Sequence, residues 1–79
     1  MIELKNITRS SKRITCNAYI EDHTEAVGLV FDEDKGDFEP YVLPNGYEWC
    51  TSHIAHARRY METLRGKEFN PHDRTIMWY

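Results

Sequence analysis

The patterning of this chain predicts an α+β fold: a small, mainly antiparallel sheet, element order ββββαβ, with one helix packed on one face. Three observations predict it. Up to residue 44 the apolar residues alternate or run in short blocks, as in strands. From Gly46 to Arg65 they recur instead at spacings of three and four, as on a helix. The chain then closes on Arg74 to Tyr79, a run of β-branched, apolar and aromatic residues that reads as a last strand. A helix with one apolar stripe must bury it against something, and here the available partner is a sheet.

The first strand is predicted over Met1 to Thr8, with Ile2 and Leu4 on one face and Glu3 and Lys5 on the other. Ile7 breaks this alternation. Ser10-Ser11-Lys12 is a polar turn. Arg13 to Glu21 alternates cleanly, with Ile14, Cys16, Ala18 and Ile20 opposite Thr15, Asn17 and Tyr19. Ala26 to Phe31 is apolar throughout, as expected inside a sheet, and Gly28 marks a bulge or a close approach. Glu33 to Asp37 reads as a tight hairpin with Gly36 in the left-handed region, which glycine adopts cheaply. Asp37 to Leu43 is the fourth strand. Pro40 has no amide hydrogen to give a ladder, so that strand belongs on an edge.

Asn45 is the expected N-cap of the helix, and Gly66 its left-handed C-terminal stop. Cys50, Ile54, Ala57, Met61 and Leu64 fall within a stripe roughly 80° wide. Four strands in a meander alternate in direction, the helix returns, and the last strand descends beside the first. With the fourth strand on an edge, the order is 4-3-2-1-5. In that position Ile76 and Trp78 face the helix, and Thr75, Met77 and Tyr79 the open face, unless the assignment is reversed.

Seventy-nine residues make one domain, residues 1–79, with a modest core for which dimerisation is a common remedy. The net charge of −3 argues against a nucleic-acid binder. Eight acids and one base lie between Glu21 and Glu39. Their simplest role is to solvate hairpin loops. Two cysteines make no disulfide framework, no signal peptide opens the chain, and no segment is long enough to span a bilayer, so a cytoplasmic location is expected.

Motifs for chemistry are weak. Cys50, His53 and His56 are zinc-ligand types, but Cys50 and His56 are separated by about 120° around a helix and do not converge, so no metal or cofactor is expected. Asp32 to Asp37 resembles the start of a calcium loop, but Leu43 stands where the bidentate glutamate is needed. A Cys–His catalytic pair requires an accessible thiol of depressed pKa, and both cysteines occupy core positions. An enzyme is therefore not expected.

The leading expectation is a small interaction or accessory module that self-associates. Two surfaces are candidates for a homodimer or another protein partner. One is the helix shoulder of Trp49, His53, His56 and Tyr60, where aromatic side chains offer contact area. The same shoulder equally suits packing against the last strand, and for Trp49 and Tyr60 packing is the favoured role. The other surface is the uncovered sheet face, with Tyr19, Val30, Met77 and Tyr79. The alternative is a nucleic-acid-binding domain that stacks bases on that face and contacts phosphate through Arg58, Arg65 and Lys67.

Overall fold

The structure, a computed structural model, describes residues 1–77. Its elements are β1 (Ile2–Ser10), β2 (Arg13–Ile20), β3 (Val27–Asp32), β4 (Asp37–Phe38), α1 (Thr51–Leu64) and β5 (His72–Ile76). The strands form one sheet in the order β4-β3-β2-β1-β5, every neighbouring pair antiparallel, as the sequence predicts. No helix among the described residues is long and apolar enough to cross a membrane.

Alternation builds the core. Ile2, Leu4, Ile14, Cys16, Ala18, Ile20, Val27, Leu29 and Phe31 all turn to one face, where Cys50, Ile54, Ala57 and Met61 of the helical segment meet them. Leu64 is half-buried at the edge of this cluster. Ile7 reaches the core as well, fully buried, because β1 carries a bulge. Asn6 takes φ +56°, and Lys5 and Asn6 are both exposed, so the phase of the strand advances by one residue and Ile7 returns to the helix side. That bulge explains the break in alternation. Gly28, by contrast, lies in regular register opposite Asn17, and nothing approaches where its Cβ would stand. It marks neither a bulge nor a close approach.

Three boundaries differ from expectation. β4 has two paired residues rather than seven. Glu39 still donates to the Val30 carbonyl (2.8 Å), but Pro40 ends the ladder and 40–43 runs on without strand structure. Asn45 is not the N-cap: consecutive turns, Tyr47 N–H to Pro44 O and Cys50 N–H to Tyr47 O (both 2.9 Å), carry the chain to Cys50, which caps α1 without a side-chain bond. β5 begins two residues early, at His72; the expected strand residues Trp78 and Tyr79 lie outside the described residues. The tight turn between β1 and β2 places Ser11 (φ +49°) and Lys12 (φ +62°) in the left-handed region. That is the geometry of a type I′ hairpin, built here without glycine.

Gly36 and Gly66 adopt φ +70° as anticipated. The helix C-terminus is closed from outside α1. Arg9 of β1 donates to the Leu64 carbonyl (2.8 Å) and to that of Lys67, while the Gly66 amide donates to Glu33 (2.9 Å). No basic side chain of the last turn serves the helix dipole; Arg9 supplies the cation there instead.

Candidate functional site

The helix shoulder is the place where the candidate residues meet, and its floor is His53. Its position on α1, three residues after Cys50, turns it toward the end of β2, and it is 4% exposed. There the chain leaves β2 through Glu21 at φ +53°, which brings the Glu21 carboxylate to 2.6 Å from His53 Nε2. The Met1 amine donates to the same oxygen at 2.9 Å. The hydrogen bond from His53, then that from the Met1 amine, holds the Glu21 carboxyl below the ordinary carboxylate range.

Trp49 lies on top of this clasp. Its indole N–H donates to the Gly46 carbonyl (2.8 Å), and its ring meets His53 edge to face with centroids 5.7 Å apart. It is nevertheless 66% exposed. Tyr60 turns instead toward β5, its hydroxyl 2.7 Å from His72 Nε2, with the Arg74 guanidinium over its ring at 5.2 Å. His56 is half-buried between them along the helix. Of the two aromatic residues favoured for packing, Tyr60 packs on β5 and Trp49 does not bury. Met77, beyond β5, is 56% exposed.

The open sheet face is mostly polar. Thr8 and Thr15 place their hydroxyl oxygens 3.1 Å apart, Lys5 lies over the Tyr19 ring, and Arg13 pairs with Glu39 (2.6 Å). Tyr19 and Val30 are half-buried among them, and the expected Tyr79 lies outside the described residues. An antiparallel sheet commonly solvates one face in this way.

The basic residues at the helix end, Arg58, Arg65 and Lys67, do not join that face. Arg65 is bound to Glu62 (3.0 Å) and to the Asp34 carbonyl, and Arg58 and Lys67 are exposed on the helical side of the molecule. Stacking on the open face and phosphate contact by the helix end would thus act on opposite sides of the sheet.

Both thiols are buried, and burial pushes their pKa values up, that of Cys16 to about 12. A thiolate nucleophile is disfavoured at either position. No three His, Cys, Asp or Glu side chains among the described residues are arranged to hold a metal ion. A cleft of about 520 Å³, lined by Thr8, Arg9, Glu68, Phe69, Asn70 and Pro71, opens near the end of α1, where Arg9 is already committed to Glu33 and to the Leu64 and Lys67 carbonyls.

Two features had no sequence signal. Glu21 is 32 positions from His53, and Glu33, one of a run of acids, is the partner of Arg9. Comparison with protein families, with curated proteins and with solved structures finds no match to this chain.

Proposed function

We propose that this chain is a small protein–protein interaction module that self-associates, with the helix shoulder as its contact surface and Trp49 as the anchor. The observation that carries the reading is the state of Trp49: a large aromatic side chain left 66% in water, yet fixed by its bond to Gly46 and by the clasped His53 beneath it. Side chains of this kind supply most of the energy at protein interfaces, because they bury a large area and lose little freedom in doing so. A domain of this size buries little core of its own, which favours association with a second copy. The free, buried thiols suit a reducing, cytoplasmic setting.

The test is light scattering on size-exclusion fractions of the wild type and Trp49→Ala across a concentration series. Trp49 is exposed, so the variant should keep the wild-type circular dichroism. The expected result is a wild-type dimer whose dissociation constant rises about tenfold or more in Trp49→Ala. An unchanged dissociation constant, or a wild type that is monomeric throughout, would refute the reading.

A further inference from the structure

The sheet has two edges, and they differ. Beyond β4 the chain continues through Pro40, which has no N–H to offer, and the paired part of that strand is only two residues, Asp37 and Phe38. So short an edge gives a second copy little backbone to pair with. The β5 edge is a regular strand of five residues, paired on its inner side with β1.

The hydrogen-bond phase of β5 follows from the other side of β1. The Glu21 amide donates to the Met1 carbonyl, so Met1 and Glu21 form a hydrogen-bonded pair, and by alternation Glu3 also turns its backbone groups toward β2. Ile2 and Leu4 therefore turn theirs toward β5, where they meet Ile76 and Arg74. It follows that Asp73 and Thr75 of β5 point their N–H and C=O groups outward, along the free edge, and that Met77, one residue beyond the strand, is next in the same alternation.

We infer that β5 of a second copy pairs antiparallel with this edge about a two-fold axis at Thr75, giving one continuous ten-stranded sheet; this rests on the reading that the chain self-associates. Three symmetric registers are available near the middle of the strand, and charge and hydrogen bonding select among them. A pair centred on Asp73 sets Asp73 against its own copy and Thr75 against Pro71, which has no donor. Centring on Arg74 sets two guanidinium groups face to face. Centring on Thr75 places Thr75 opposite Thr75, Arg74 opposite Ile76 and Asp73 opposite Met77. No like charges meet, and all three outward-facing residues on each strand find backbone partners. Asp73 and Arg74 thus exclude the wrong registers, as charges on edge strands commonly do.

The same operation explains the shoulder. A two-fold axis perpendicular to the sheet keeps both helices on one face and sets them antiparallel, flanking the new seam. Strand spacing places their axes roughly 15–20 Å apart, wider than the 8–10 Å of directly packed helices. The side chains that fill such a gap are those of the shoulder, Trp49, His56 and Tyr60 from both copies, with Trp49 of one copy toward the Tyr60 end of the other. The aromatic residue left in water on the monomer is then covered.

The test is disulfide trapping of Thr75→Cys. Thr75 is exposed on the open face, and Cys16 and Cys50 are buried, so oxidation reads the new thiol alone. Directly opposed residues of a hydrogen-bonded pair lie about 5.5 Å apart at Cα, within disulfide reach. Mild oxidation should convert most of Thr75→Cys to a covalent dimer with unchanged circular dichroism, while Asp73→Cys, offset from its own copy, should give little. A mixture of Asp73→Cys with Met77→Cys should cross-link again. If the wild type is dimeric by light scattering but Thr75→Cys does not cross-link, this interface is wrong and self-association stands. If the wild type is monomeric, both fail.

Discussion

Glu33→Gln is the substitution whose consequence follows most directly from the structure. Glu33 stands 8% exposed at the start of the β3–β4 turn, and its carboxylate accepts three hydrogen bonds: from Arg9 Nε and Nη2, both at 2.8 Å, and from the Gly66 amide at 2.9 Å. One side chain therefore ties β1, the β3–β4 turn and the end of α1 together. A glutamine keeps the shape but removes the charge and turns an N–H₂ toward one of these donors. An exposed ion pair would lose at most about 1 kcal/mol, and a fully buried one about 3–5. Arg9 is 28% exposed, so the pair lies nearer the buried limit. A loss of about 2–4 kcal/mol is expected, a large part of the roughly 4–12 kcal/mol available to a domain of this length.

Urea unfolding followed by circular dichroism measures this loss, and pH provides a second readout. Desolvation raises the Glu33 pKa, but the bonds from Arg9 and Gly66 outweigh it, and the net shift is downward. A carboxyl depressed in the folded state stabilises the fold above its unfolded pKa, about 4.3, and this contribution is lost as pH falls through the folded value. The wild type should therefore lose stability below about pH 4.5, and Glu33→Gln should lose less over the same interval. A change under about 0.5 kcal/mol at neutral pH, or identical acid slopes, would refute the assignment of the clamp.

Ile54 is 4% exposed at the centre of the helix stripe, and Ile54→Ala should cost about 2–5 kcal/mol, read as a fall in the urea midpoint. An unchanged midpoint would mean that the stripe is not the core. Lys12 holds φ +62° in a two-residue turn, and Lys12→Gly should raise the thermal midpoint by about 2–8 °C, through relief of left-handed strain partly offset by glycine entropy. A lowered midpoint would show that the turn is unstrained.

Elements that depend on local periodicity could be read in the sequence. The stripe of α1, the alternation of β2 and the two glycine turns at Gly36 and Gly66 all arise from residues within a few positions of one another. The order of the strands could also be read, because a meander with a proline at one end leaves few arrangements. The bulge at Asn6 showed only as the broken alternation at Ile7, without revealing that Ile7 is buried. What could not be read depends on distance along the chain: Glu21 with His53, and Glu33 with Arg9. A carboxylate that finds its partner through tertiary structure looks, in sequence, like any solvated acid. Trp49 was misjudged for the opposite reason. Its ring is fixed by the bond to Gly46 and the contact with His53, and it stays 66% exposed.

Self-association is decided by sedimentation equilibrium of the wild-type chain. The mass should rise with concentration from 9.4 kDa toward twice that value and go no further, since a two-fold pairing closes. A mass fixed at 9.4 kDa at every concentration would contradict it.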